Sequence, residues 1–331
     1  MIYAIDQLHQ LIDARRANRQ FTYWCPHCSH KVYLRDGTKK IAHFAHYKQD
    51  DAYCNKGEGA EHYLLKYKLA EYYKVYGYAV SIEPYIKSAL QYPDIVVEQR
   101  YAIEIQFSQI NCDFVLKRTN GLTLNNLNVV WIIKNPNYNK RKYLLFLTRF
   151  QRAFINPRNR TLFAWDWVNQ KLLLYYNIQF LGGKSFRAQC KVISPVEIIL
   201  TNQISEDIKL YKLSYSKVKQ YINQCQHRHS VLEPTLSVIY NLRLQINDVC
   251  NCFGLIFKEQ LFIQSHPVYW QLQLYYLFYT GTYTLDSFKE LLKFNTFYLN
   301  DMNQTEIVQS IVNQFKLYYR IFNCNNVQKN R

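Results

Sequence analysis

The residues best suited to chemistry in this chain lie near position 100. Tyr92-Pro93-Asp94-Ile95-Val96-Val97 is followed by a polar turn and then by Ala102-Ile103-Glu104-Ile105-Gln106-Phe107. Both flanks alternate with period two and read as strands. The polar Glu98-Gln99-Arg100 between them reads as the loop of a hairpin. A loop of that length sets Asp94 beside Glu104. Glu104 and Gln106 are two positions apart and share a face, while Ile95, Val97, Ile103 and Ile105 take the other. Two carboxylates converging from adjacent strands suit a hard divalent cation, Mg²⁺ or Mn²⁺. A metal held in that way activates water and stabilises charge on a phosphate. By itself the pattern also describes an amphipathic hairpin with solvated acids, so the neighbouring elements carry the argument.

Residues 57–76 read as a helix, entered at Gly57 and Gly59 and left at Gly77. Glu58, His62 and Lys66 recur at i, i+4 and i+8 and line one face, with Glu61 beside them. His62 or Lys66 could contact a phosphate or help move a proton. The same spacing also serves ion pairs on a solvated face. Residues 78–110 alternate as strands, 112–122 look helical, and Asn128–Lys134 reads as a buried strand.

Upstream stands a cysteine and histidine cluster: Trp24-Cys25-Pro26-His27-Cys28, then His43-Phe44-Ala45-His46, then Cys54. Cys25 and Cys28 with two of His43, His46 and Cys54 would complete a tetrahedral zinc site. The segment is otherwise poor in large apolar residues, so a structural metal would help it fold. A redox pair would open a helix after a strand. Here Lys31-Val32-Tyr33-Leu34 reads as a strand and Asp36-Gly37 as a turn, the pattern of a zinc-binding hairpin.

The 331 residues suggest two or three domains, and 49% hydrophobic content indicates a globular protein. No apolar run approaches the ~18 residues that span a bilayer. The N-terminal stretch lacks the pattern of a signal peptide, which points to the cytosol. Nine cysteines, an odd number without a signal peptide, argue against a disulfide framework. The net charge of +17 favours a polyanionic partner. From Phe114 to Trp165 there is no acid, yet the segment carries Lys117, Arg118, Lys140, Arg141, Lys142, Arg149 and Arg152 among interleaved tyrosines and phenylalanines. Such cations neutralise phosphates and such rings stack on bases, so this stretch is the expected nucleic-acid-binding surface.

These signals divide the chain into an N-terminal strand and helix (1–20, the helix running through Leu8, Leu11 and Ile12) and a zinc-binding segment (21–56). A core follows (57–135), then a basic and aromatic hairpin region with a turn at Asn169-Gln170 (136–205), then a helical C-terminal domain (206–331).

With these motifs in order, the sequence resembles the competence protein CoiA family. The resemblance rests on Cys25-Pro26-His27-Cys28, His43-Phe44-Ala45-His46, the Glu58–His62–Lys66 helix, Pro93-Asp94 and Glu104-Ile105-Gln106-Phe107-Ser108, and covers residues 1–135 by motif. It implies an α/β nuclease-like core of PD-(D/E)xK type, an N-terminal zinc-binding hairpin and a mainly helical C-terminal region. In that core the first helix brings a glutamate, here Glu58 or Glu61, toward the metal. Gln106 stands where the wider nuclease group has lysine; it can orient water, and Lys66 would supply charge from the helix. The implied role is in natural transformation, acting in the cytosol on incoming DNA, single-stranded or in recombination intermediates, and assisting its recombination. Two other functions fit the same residues. One is a DNA-binding accessory without turnover. The other is a docking protein whose residues 206–331 engage a recombination partner.

Overall fold

A computed structural model describes residues 3–25, 30–37, 40–47, 60–200, 210–227, 232–298 and 303–327. The chain forms two compact units. The first holds Met1–Asn135, Phe163–Leu173 and Val192–Asn202; the second holds Pro136–Leu162, Leu174–Lys191 and Gln203–Arg331.

The first unit opens with β1 (Tyr3–Ile5), β2 (Leu11–Asp13), β3 (Tyr23–Trp24), β4 (Lys31–Gly37) and β5 (Lys40–His46). They form an antiparallel sheet in the order β2-β1-β3-β4-β5. The helix expected through Leu8, Leu11 and Ile12 gives way to a tight turn and strand β2. The Asp6 carboxylate accepts the N–H groups of Leu8 and Gln10 at 2.9 and 2.8 Å, and His9 takes a φ of 57°. This local bonding competes with a helix and folds the chain back onto β1. Ala4, Ala14, Tyr23, Cys25, Val32 and Phe44 pack into a small core on the sheet.

Helix α1 (Ala60–Val75) is followed by Gly77 with a φ of 83°, a conformation that costs glycine nothing. β6 (Val80–Ile82), β7 (Ile95–Val97) and β8 (Tyr101–Gln106) then run antiparallel in sequence. The loop between β7 and β8 puts Glu98 and Gln99 at positive φ, 52° and 48°. The Glu98 carboxylate offsets that strain by accepting the Ala79 N–H at 2.6 Å. Helix α2 (Cys112–Thr123), capped by the Asn111 side chain on the Asp113 N–H, returns the chain so that β9 (Asn128–Lys134) lies parallel to β8. All of β7, and β8 through Ile105, are buried, so both faces of this sheet are covered.

Strands β10 (Asn137–Asn139) and β11 (Leu144–Phe146) and the short α3 (Arg149–Arg152) belong to the second unit. β12 (Leu162–Asp166) returns to the first unit, with Phe163–Trp165 parallel to Ile132–Lys134 of β9. The core therefore takes a further strand from beyond the polar stretch at 135–140, and that strand pairs the N–H and C=O groups on the outer edge of β9. β13 (Lys171–Gly182) follows β12 through a hairpin turn at Trp167–Gln170, and in the second unit it pairs with β14 (Ser185–Ile193), which pairs with β11. α4 (Pro195–Leu200) is tied to α1 by the Tyr73 hydroxyl, which donates to the Pro195 carbonyl at 2.6 Å.

The rest of the second unit pairs β15 (Tyr211–Lys212) with β16 (Leu255–Ile256) and is otherwise mainly helical. Its helices are α5 (Tyr215–Gln226), α6 (Pro234–Asn241), α7 (Ile246–Cys252), α8 (Pro267–Thr280), α9 (Leu285–Glu290) and α10 (Gln304–Val327). Trp270 is fully buried, donates its indole N–H to Gln260 Oε1 at 2.7 Å and packs against Phe257, Phe288 and Phe315. Among the described residues no helix is long and apolar enough to cross a membrane.

Candidate active site

The β7–β8 register pairs Ile95 with Ile103, which brings Asp94 opposite Glu104 at the next position. Both carboxylates are buried, 5% and 2% exposed. The Ile105 N–H donates to Asp94 Oδ2 at 2.8 Å, so the hairpin backbone itself orients that carboxylate. Local sequence spacing thus becomes an arrangement of two buried acids side by side.

Each acid is met by cationic side chains from a different helix. From α1, His62 Nε2 lies 2.9 Å from Asp94 Oδ2, and Lys66 Nζ lies 3.7 Å from Oδ1. Lys66 is fully buried and pairs at 2.6 Å with Glu83. Glu83 directly follows β6 and donates its own N–H to the Asp94 carbonyl at 3.1 Å. From α2, Arg118 bonds both oxygens of Glu104, Nε at 2.9 Å and Nη2 at 3.0 Å, and also donates to the Tyr92 carbonyl. His62, Lys66, Asp94 and Glu83 therefore form one chain of polar contacts, with the Arg118–Glu104 pair beside it.

The two acids have opposite electrostatics. Burial alone would raise Asp94, but the hydrogen bond and charge of His62, then Lys66, then the Ile105 N–H outweigh it and hold the carboxyl below its ordinary range. Burial, followed by the charge of Asp94, pushes Glu104 up to about 8 against the pull of Arg118. An acid whose folded pKa is raised contributes stability that is complete below its unfolded value of 4.5 and is lost as pH rises toward 8. The Asp94 contribution is already complete above its unfolded value of 3.8 and adds no slope there. In EDTA, thermal stability should therefore fall between about pH 5 and 8, by up to about 1.4 kcal/mol per pH unit from this group. Glu104→Gln should flatten that slope, and melting curves of the two proteins across the range check it; parallel curves would remove Glu104 as the source.

The other expected site residues lie as follows. Gln106 turns its amide onto the loop beyond β8, donating to the Ser108 carbonyl at 2.7 Å and hydroxyl at 3.0 Å. Glu61 is exposed and pairs with Lys134 at 3.5 Å, apart from the two acids. Glu58 lies outside the described residues. Arg118 sits in the site, and the structure adds Glu83, a residue that sequence reasoning missed because a single acid before Pro84 carries no distinguishing signal. Of the expected DNA-binding cations, Lys117, Lys140, Arg141, Lys142 and Arg149 are exposed. Arg152 is instead held against Phe180 and Phe186, 5.4 Å from each ring centroid, and bonded to the Gly183 carbonyl.

By donor chemistry the acids suit Mg²⁺ or Mn²⁺, since both offer hard oxygens side by side. A cation between them requires Arg118 to release a Glu104 oxygen. Among the described residues no group of three or more His, Cys, Asp and Glu side chains is arranged to hold a metal ion.

In the N-terminal sheet, Tyr23, Val32 and His46 are in register across β3, β4 and β5, whereas His43 is in register with Arg35. Side chains three apart on a strand point to opposite faces. His46 thus shares the face of Phe44, Tyr23 and the buried Cys25, and His43 takes the other. Cys28 and Cys54 lie outside the described residues.

Comparison with known proteins adds the following. The family described as "Competence protein CoiA, nuclease-like domain" matches residues 58–207, and "Competence protein CoiA, N-terminal domain" matches residues 6–55. The Competence protein CoiA of Bacillus subtilis (strain 168) is 28% identical over 139 residues, 40% of this chain and 37% of that protein. The similarity thus spans little more than a third of the relative's length. No solved structure matches.

Proposed function

This chain belongs to the competence protein CoiA family, and from that premise we propose that it acts in the cytosol on incoming DNA during natural transformation. On this reading it cleaves phosphodiester bonds at the Asp94–Glu104 pair, in a core of PD-(D/E)xK type, and so assists recombination. The observation that carries the proposal is the adjacency of two buried carboxylates on one hairpin, Asp94 oriented by a backbone N–H and Glu104 raised by burial and then by the charge of its neighbour.

When bound at that pair, Mg²⁺ or Mn²⁺ supplies an activated water and charge stabilisation on the phosphate. The protein's own groups do the rest. Lys66 and His62 keep Asp94 ionised and oriented, and the charged His62 is placed to give a proton. Gln106 is neutral, and to orient water it would turn its amide away from Ser108. Arg118, once released from Glu104, offers a planar fork to a phosphate oxygen. Exposed Lys117, Lys140, Arg141, Lys142 and Arg149 hold the DNA backbone.

One observation favours a second reading. Arg118 occupies both Glu104 oxygens, which is how a site without metal neutralises a buried acid. That reading is a DNA-binding accessory that keeps the fold without turnover and works beside recombination proteins. The deciding experiment incubates the full chain with single-stranded and duplex DNA in Mg²⁺, Mn²⁺ or EDTA. Cutting that requires a divalent cation supports the nuclease; binding without cutting in every condition assigns the accessory role.

We also propose a structural zinc held by Cys25 and Cys28 with His46 and Cys54. His46 is preferred to His43 because it shares the face of Cys25, while His43 projects from the opposite face about 10 Å along the strand. Elemental analysis should find about one zinc per chain, as for tightly bound structural sites. His46→Ala should lose most of it and His43→Ala should keep it; the reverse order would overturn the assignment.

A further inference from the structure

A cleft of about 820 Å³ lies wholly within the second unit. Three elements bring a lysine each to its walls: Lys142 from the β10–β11 turn, Lys184 from the β13–β14 turn and Lys217 from the first turn of α5. No aspartate or glutamate is among its described lining residues. None of the three lysines forms an ion pair among the described residues, and all three are exposed. Cations gathered around a concave surface without an acid repel one another, and a polyanion in the cleft relieves that repulsion.

The cleft is built on rigid parts. Gly182 and Gly183 turn the β13–β14 hairpin with φ of 109° and 57°. Gly182 lies so close to His266 that an added Cβ would collide with the imidazole ring. The His266 ring in turn lies flat on Tyr221, centroids 3.7 Å apart and planes within 3°. Burial holds His266 far below its ordinary range, at about 3, so this floor is uncharged and the positive charge is that of the lysines. The N-terminus of the twelve-residue α5 opens at the wall beside Lys217, where Ser214 makes no side-chain cap, and it adds the positive end of the helix dipole.

We propose that this cleft binds the phosphodiester backbone of a nucleic-acid strand. Lysines act as point charges without the fork that reads a base edge, so the contact is indifferent to sequence. Phe146, 37% exposed at the rim, offers a ring on which a base can stack. The choice of nucleic acid among polyanions rests on the DNA-directed reading above; the convergence of lysines does not.

The test measures anisotropy of a fluorescein-labelled thirty-nucleotide oligodeoxythymidylate on the full chain, in EDTA and over a range of salt. Lys184→Glu/Lys217→Glu should weaken binding at least tenfold and flatten the salt slope by about 1.4 units, the value for two lost contacts to a single strand. Lys191→Glu/Lys219→Glu makes the same change in charge on β14 and α5 but outside the cleft, and should stay within about threefold of wild type. Equal weakening by both pairs, or by neither, overturns the proposal, as does a wild-type chain that binds no oligonucleotide. Sodium tripolyphosphate displacing the oligonucleotide at equal phosphate concentration would assign the cleft to free polyphosphate and overturn it too. Catalysis is read separately. Loss of binding in the cleft variant beside a wild type that never cuts DNA sinks only the nuclease, and wild-type binding by the cleft variant beside Mg²⁺-dependent cutting sinks only the cleft.

Discussion

Asp94→Ala and Glu104→Ala are each expected to abolish Mg²⁺-dependent DNA cleavage while changing DNA affinity by no more than about threefold. In the proposed site both acids would hold the divalent cation, and both are buried, so neither has a solvated substitute nearby. Loss of either removes a hard oxygen ligand and with it the charge stabilisation the reaction needs. Several kcal/mol of barrier correspond to a rate loss on the order of a thousandfold or more. DNA binding survives because the proposed backbone contacts are lysines and arginines on other surfaces. Truncating a buried acid also strips partners from His62, Lys66 or Arg118, so Asp94→Asn and Glu104→Gln, which keep shape, serve as the second pair. Gln106→Ala should be milder, since its amide is directed to Ser108 and carries no charge. Gln106→Lys should raise the rate if a cation at that position is what the site lacks. Cleavage kinetics with matched binding measurements decide the matter. Carboxylate variants that cut as fast as wild type would remove the hairpin from catalysis.

Lys66→Met should cost about 3–5 kcal/mol of stability, the range for removing one partner of a buried charge pair. Lys66 is fully buried, 2.6 Å from Glu83 and 3.7 Å from Asp94. Methionine fills much of the same volume, so the loss is electrostatic: two carboxylates remain at a buried site, with His62 and the Ile105 N–H still bonded to Asp94. The double variant Lys66→Met/Glu83→Gln should recover at least half of the loss, because it also removes one of the stranded charges. Lys68→Met, two positions away on the exposed face of α1, should change stability by less than about 0.5 kcal/mol. Denaturant titrations of the four proteins measure this. A Lys66→Met cost below about 1 kcal/mol would mean that the buried contacts contribute little.

The pairing of Asp94 with Glu104 was legible in the letters because a hairpin is local. Period-two alternation and a three-residue loop set the register, and register decides which side chains face each other. The helical spacing of His62 and Lys66, the turn at Asn169-Gln170 and the αβ alternation through β9 were legible for the same reason: each depends on neighbours within a few positions. The partners of the acids were not. Arg118 was read as a cation for DNA and proved to be the counter-ion of Glu104, and Glu83 carried no signal at all, because a charged letter looks the same exposed or buried. Only the packing of α1 and α2 on the sheet decides which charges lose their water and must find one another. The strand at Leu11–Asp13 was lost to a helical reading because the Asp6 turn overrides three apolar positions at helical spacing. That His43 and His46 take opposite faces became legible only once β5 was a strand paired in register with β4. The lysine cleft follows the same rule. Lys142, Lys184 and Lys217 are far apart in the chain, and no local pattern sets the distance between residues that only the tertiary fold brings together.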